Sequence, residues 1–129
     1  MAQIKVYGLR DHLDPIKGRF SDVIHACVVE ALQVPIDKRF HRFFPLDASD
    51  FFYPPDRTTR YTIIEVSMFE GRSVDAKKRL IRLLFERLKD ELDISPQDVE
   101  VTMTETPPCN WGIRGVPGDE LTLNYRVNV

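Results

Sequence analysis

The sequence predicts an α+β fold in which two pseudo-repeated β-α-β units form a four-stranded mixed sheet with two helices on one face, followed by a C-terminal strand or hairpin. The first of three observations behind this is an internal repeat. At an offset of 60 residues Ile4 meets Ile64, Val6 meets Val66, Phe20 meets Leu80, Ile24 meets Leu84, Val28 meets Leu88, Leu32 meets Leu92 and Val34 meets Ile94. Second, the hydrophobic pattern of each half reads strand, helix, strand. Third, a helix of this length between two strands lets them run parallel through a right-handed crossover. A chain of 129 residues is expected to be a single domain, 1–129. Within it, repeat one spans 2–46, repeat two 61–105 and a C-terminal extension 106–129.

The elements follow in order. "QIKVYG" alternates as a strand does, with Ile4 and Val6 on one face. Asp14 and Pro15 read as an N-cap and a proline at the first helical position, where its missing donor costs nothing. Ile16, Phe20, Val23, Ile24, Cys27, Val28, Ala31 and Leu32 then recur at spacings of three and four, one continuous apolar stripe. Pro35 ends that helix and "RFHRFFPL" is the returning strand. In the second half the β-branched run "YTIIEVSMF" reads as a central strand, and Ser73 caps a helix burying Leu80, Ile81, Leu84, Phe85, Leu88 and Leu92. Ser95 and Pro96 mark its stop, and "DVEVTMTE" alternates with Val99, Val101 and Met103 inward. Two helices on one face leave the other face open, and an open apolar face is expected to find a partner. "LTLNYRV", with Leu121, Leu123, Tyr125 and Val127 in alternation, is expected to be an extra strand able to pair with a neighbouring subunit. The segment "DASDFFYPPDRTTR" between the halves holds three adjacent aromatics and is expected to pack over something rather than hang as a linker.

Composition narrows the function classes. Hydrophobic residues make up 43%, and 18 basic against 20 acidic residues leave a net charge of −2. The basic residues are scattered, without the stripe that nucleic-acid binding requires. No apolar stretch reaches about 18 residues, so neither a membrane span nor a secretory leader is read, and the expected location is cytoplasmic. Cys27 and Cys109 do not suggest a disulfide scaffold. His12, His25 and His41 have no metal-ligand spacing with one another or with cysteine; no metal and no cofactor are expected. His25 falls at the edge of the first helix's stripe, and His12 falls opposite Arg72 under the repeat.

The order and spacing of "ALQVPIDKRF", "FEGRSVDAKKRL", "DISPQDVEVTMTE" and "NW" resemble the tautomerase superfamily, with its macrophage migration inhibitory factor-like fold. The likeness runs to the longer-chain branch of malonate semialdehyde decarboxylase-like proteins and covers roughly the first 112 residues. It implies a homotrimer with active sites at subunit boundaries beside the N-terminus. It also exposes a departure. The family works through an N-terminal proline, and here Ala2 stands at that position, with no proline before Pro15. A free Ala2 amine would have an ordinary pKa of about 7.7–8.0 and could serve as a base or condense with a carbonyl; the catalytic group is otherwise unassigned.

The resemblance implies three further site elements, and the sequence beside the last of them suggests a fourth. Arg72, at a strand-to-helix junction, would hold a substrate carboxylate through paired guanidinium donors and the free amides of the helix's first turn. Its alternative is a surface charge pairing with Asp75 or Glu70. Glu70 replaces the second arginine of the decarboxylase, removing half of a clamp. Arg39 would be a second basic contact or, alternatively, a strand-end surface charge, and Lys38 replaces the decarboxylase's acidic residue one position earlier. Asn110 and Trp111 would supply a polar contact and a flat apolar wall, unless Trp111 only caps the core. Arg114, in a flexible "GIRG", would bring another positive charge over the pocket.

Two functions are therefore expected. One is a keto-enol tautomerase or isomerase acting on a small carboxylate-bearing compound through an arginine anion site, without the usual proline base. The other is a non-catalytic trimer of the same fold that binds a small anion or another protein.

Overall fold

The computed structural model describes residues 1–129. Strand β1 (Ala2–Leu9) is followed by a short helix α1 (Arg10–Leu13), helix α2 (Lys17–Leu32) and strand β2 (His41–Leu46). Strand β3 (Thr62–Phe69), helix α3 (Val74–Leu92) and strand β4 (Val99–Thr106) form the second unit. The sheet runs β2-β1-β3-β4, parallel within each unit and antiparallel between β1 and β3. The central register itself obeys the repeat: Ile4 pairs with Val66 and Val6 with Ile64, so moving each residue to its repeat mate returns the same pairs. The two units are therefore related by an approximate two-fold axis between β1 and β3.

Every residue of the seven matched repeat pairs is buried, and together they form most of one core between the sheet and the two long helices. The reason is periodic: even-numbered positions of β1 and β3 point to the helix side, while the stripes of α2 and α3 face back onto them. Ser73 caps α3 as expected, its Oγ accepting from Ala76 N at 3.1 Å. Both long helices end on a left-handed residue, Gln33 (φ 55°) and Asp93 (φ 54°), a usual helix terminator.

Four local expectations are corrected. Asp14 does not cap α2: it closes the extra turn of α1 in helical geometry, its carboxylate meets Lys17 Nζ at 3.2 Å, and α2 starts at Lys17 with no side-chain cap. That turn forms because Leu13 buries completely against Gly8, where a Cβ would stand 3.0 Å from Leu13 Cγ. His25 lies inside the core rather than at its edge; it is 3% exposed, with Nε2 2.7 Å from the Ile36 carbonyl. The helix-free face of the sheet is not an apolar plate. The register puts Lys5, Arg42, Glu65 and Glu100 on it, beside a stacked Tyr7–Phe44 pair at 4.9 Å. Finally, "LTLNYRV" enters no ladder within its own chain: its alternation survives as alternating burial of Leu121, Leu123, Tyr125 and Val127, while the hairpin of the extension is β5 (Gly112–Ile113) with β6 (Val116–Pro117).

The aromatic segment between the units does pack. Phe51 stacks near Tyr61 with ring centroids 5.5 Å apart, and Arg57 stands 5.8 Å from the Tyr61 ring centre. The Thr58 amide donates to Asp98 Oδ1 at 2.8 Å, tying the segment to the start of β4. No helix is long and apolar enough to cross a membrane.

Candidate active site

The junction from β3 to α3 is built by three residues with different tasks. Gly71 turns the chain at φ 130°, Arg72 follows, and Ser73 caps the helix. A side chain at Gly71 would be strained at that φ, and its Cβ would stand 2.5 Å from Asn128 Oδ1. The result turns Arg72 inward. The residue is 5% exposed, and its Nη1 donates to the Phe69 carbonyl at 3.2 Å. Its Nε and Nη2 are buried without any partner. No carboxylate pairs with it: Glu105 is taken by Lys77 Nζ at 2.7 Å, and neither Asp75 nor Glu70 forms an ion pair with it. The surface-charge alternative is therefore not what the chain adopts. Burial pulls the Arg72 pKa down from its usual range, against the neighbouring Tyr125 hydroxyl and Glu105.

The repeat symmetry explains what lies opposite. Ala2 pairs with Met68 near the end of β3, which brings the start of β1 alongside the junction. Met1 is 6% exposed, its carbonyl accepting from the Phe69 amide at 3.1 Å. Its α-amine is held down at about 5, first by burial and then by the positive charge of Arg72. An amine with that pKa is unprotonated at neutral pH and able to accept a proton.

Met1 lines a cavity of about 190 Å³ together with Lys38, Arg114 and residues Thr122 to Tyr125 of the C-terminal tail. The Tyr125 hydroxyl neighbours Arg72, and the Met1 amine is close enough to feel its charge; Arg72 itself does not line the cavity. The tail is moored to the same junction: the Ser73 hydroxyl donates to the Val129 carbonyl at 2.9 Å while still capping α3.

Of the sequence-expected residues, Arg114 reaches this cavity, in a left-handed conformation at φ 49°, and Arg72 is not among the residues that line it. Arg39 is elsewhere: its Nη1 pairs with Asp22 Oδ1 on α2 at 2.7 Å, and the neighbouring Lys38 lines the cavity instead. Asn110 is exposed. Trp111 packs edge-on to Phe69 with centroids 5.2 Å apart, and its Nε1 donates to Thr106 Oγ1 at 2.8 Å, so its one donor is spent on the fold. Tyr125, Lys38 and Met1 were not among the expected contacts; the only hint was the alternation of "LTLNYRV", which marks Tyr125 as inward-facing.

The repeat mate of this site lies at the end of β1. His12 takes the place of Arg72, and its Nε2 meets Thr62 Oγ1, the mate of Ala2, at 3.1 Å. A larger cavity of about 590 Å³ opens there, but its cations are engaged. Arg60 donates to the Leu92 and Asp93 carbonyls at the end of α3, and Arg10 to Asp47 and the Pro45 carbonyl. Unpartnered positive donors distinguish the Arg72 site from this copy. The residues present form no cluster of histidine, cysteine and carboxylate groups suited to a metal ion.

Comparison with known proteins agrees with this architecture. The family model described as tautomerase enzyme matches residues 38–114. The chain is 28% identical over 98 residues to the probable tautomerase YusQ of Bacillus subtilis, covering 72% of this chain and 77% of that protein. It is 30% identical over 95 residues to the probable tautomerase YrdN of the same organism, covering 70% and 73%, and 37% identical over 59 residues to 2-hydroxymuconate tautomerase of Pseudomonas putida, covering 46% and 94%. Among solved structures, malonate semialdehyde decarboxylase superposes with a TM-score of 0.80 at 22% identity over 92% of this chain and 99% of the other. A fused 4-OT described as an asymmetric trimer gives 0.80 at 24% identity over 91% and 96%. At these identities the superpositions speak to the fold alone.

Proposed function

The chain belongs to the tautomerase family, and from that premise we propose that it interconverts the keto and enol forms of a small carboxylate-bearing compound, with Arg72 holding the carboxylate and the N-terminal amine moving the proton. One observation carries this reading: a buried arginine with two unpartnered nitrogens stands beside an amine whose pKa is lowered to about 5. Placing a carboxylate on Arg72 supplies the missing acceptors, since a guanidinium offers paired donors to two oxygens. The neutral amine then takes a proton from the carbon beside the carbonyl and returns it at the other end of the conjugated system. With Met1 in place the acting nitrogen is that of Met1. With Met1 removed it is that of Ala2, one residue along the strand, and the space Met1 fills beside Arg72 becomes available to the substrate.

The trimeric fused 4-OT neighbours and the charged, helix-free sheet face support assembly as a homotrimer with the sites near subunit boundaries. In such a trimer Asn110, which is exposed and lies outside the cavity of its own chain, would be placed to serve a neighbour's site, and Arg39 would do so only by giving up its pair with Asp22. Ala2 at the start of β1, where the resemblance places a proline, favours a second reading, a trimer that binds small anions without turnover.

The test is an enol-ketone assay on phenylenolpyruvate with wild type, Arg72→Ala and Ala2→Pro, each checked by intact mass for the presence of Met1. Turnover by wild type that collapses in Arg72→Ala supports the enzyme. No turnover by wild type, together with turnover appearing in Ala2→Pro, establishes the anion-binding reading in its place.

A further inference from the structure

The repeat mate of the Arg72 site has the opposite hydrogen-bonding sense. At the end of β1 the Thr62 hydroxyl gives its single hydrogen to the Arg60 carbonyl at 2.9 Å, a group that can only accept. The hydroxyl oxygen is left as an acceptor, so His12 Nε2, 3.1 Å away, carries the hydrogen between them. Thr62 is completely buried, which fixes this two-bond relay and with it the tautomer. His12 Nδ1 is then a bare lone pair without a partner and not sealed from solvent, on a ring that lines the cavity of about 590 Å³. Burial and the charge of Arg60 hold the imidazole at about 4, so it is neutral at pH 7 and remains an acceptor.

The rest of the cavity shows what such an acceptor would meet. Its formal charges cancel, Arg10 and Arg60 against Asp11 and Asp47. Both guanidinium groups aim in-plane donors at protein oxygens: Arg10 at Asp47 and the Pro45 carbonyl, Arg60 at the Leu92 and Asp93 carbonyls. A guanidinium held in this way still offers its flat face, which stacks on aromatic rings. Leu9, Ile16 and Leu46 add apolar wall. We propose that this cavity is a second binding site, separate from Arg72, for an uncharged hydroxylated ring compound of the phenol class, its O–H donating to His12 Nδ1 and its ring lying against Ile16, Leu46 and a guanidinium face. A carboxylate, with no hydrogen to give, brings its own lone pairs against that of Nδ1, and a plain hydrocarbon leaves Nδ1 unpaired. The repeat has thus diverged into one end with free donors and one end with a free acceptor, and the inference does not depend on the role given to Arg72.

The test is titration of phenol, toluene, cyclohexanol and benzoate into the full-length protein labelled with 15N in its three histidines, read from the ring nitrogens. Without ligand at pH 7, His12 should show Nε2 protonated and Nδ1 bare. Phenol should move His12 Nδ1 saturably and leave His25 and His41 in place. It should bind at least about threefold more tightly than toluene, cyclohexanol or benzoate, one neutral hydrogen bond being worth roughly three- to tenfold. His12→Leu should erase the preference for phenol over toluene. Thr62→Val, which keeps the shape but frees the tautomer, should weaken phenol by about twofold or more and leave toluene as in wild type. A His12 protonated on Nδ1, phenol bound no better than toluene, or His12→Leu that keeps the preference overturns the site. Benzoate bound more tightly than phenol, or a shift confined to His25 or His41, overturns it equally.

Discussion

Replacing Arg72 by methionine should make the protein more stable and unable to bind its ligand. The guanidinium is 5% exposed, has one hydrogen bond, to the Phe69 carbonyl, and no carboxylate partner. Taking a charge that far out of water costs several kcal/mol even after relaxation, on the order of 3–5 kcal/mol when no counter-charge answers it. The single hydrogen bond returns about 1.5–3 kcal/mol. Methionine keeps the apolar stem and removes the charge, so the net gain is about 2 kcal/mol, within the span seen when buried charges give way to apolar side chains of similar size. With an unfolding entropy of about 2.1 cal/mol/K per residue, 129 residues give about 0.27 kcal/mol/K, and 2 kcal/mol becomes a rise in Tm of about 7 °C. The assay is calorimetric melting of both proteins at one concentration, with and without oxalate. Ligand at a hundred times its Kd should add about 2.7 kcal/mol to wild type and nothing to Arg72→Met, reversing their order. A variant that melts several degrees below wild type without ligand would show that Arg72 supports the fold rather than a ligand, and equal stabilisation of both proteins by oxalate would place the anion elsewhere.

Three further outcomes are expected. Stability should fall on acidification: His12 and His41 are each held at about 4, chiefly by burial and then by Arg60 and by His25 with Arg39 respectively. Because the folded pKa values lie below the unfolded 6.5, the unfolded chain takes up protons first, and stability present above pH 6.5 is lost on the way to 4. For these partly buried groups we expect about 1 kcal/mol each at pH 5, read as a lower urea midpoint that His41→Asn should make less pH-dependent. Gly71→Ala should cost about 1–3 kcal/mol through its positive φ alone and displace Asn128, read as lower Tm and faster proteolysis of the 121–129 tail; unchanged proteolysis would mean the tail is held elsewhere. Asp98→Ala, which leaves the Thr58 amide and hydroxyl without their acceptor, should cost about 2–3 kcal/mol and increase hydrogen exchange in residues 47–60 before the rest of the sheet.

The double β-α-β plan was legible because it rests on local periodicities that any later packing must respect. Period-two strands, stripes at three and four, and an offset that matches residue for residue determined which side chains enter the core, and all of the matched pairs do. Arg72 was legible as a candidate for a similar reason, since glycine, arginine and a capping serine in succession specify a strand-to-helix joint. What the sequence could not determine was which groups meet across the joint. Lys38 and Arg39 are adjacent, and only the path of the chain after Pro35 turns the first toward the cavity and the second toward Asp22. Trp111 has the chemistry of a pocket wall, yet its indole N–H is committed to Thr106 by a fold of the extension that no periodicity announces. Tyr125 carries the alternation of a strand but enters no ladder within its own chain, and the mooring of residues 127–129 on Gly71 and Ser73 sets its hydroxyl near Arg72. Burial patterns are written in short-range order and survive translation from the sequence alone; the partners of individual polar groups depend on how the chain is routed, over separations that reach 56 positions between Ser73 and Val129, which only the tertiary structure decides.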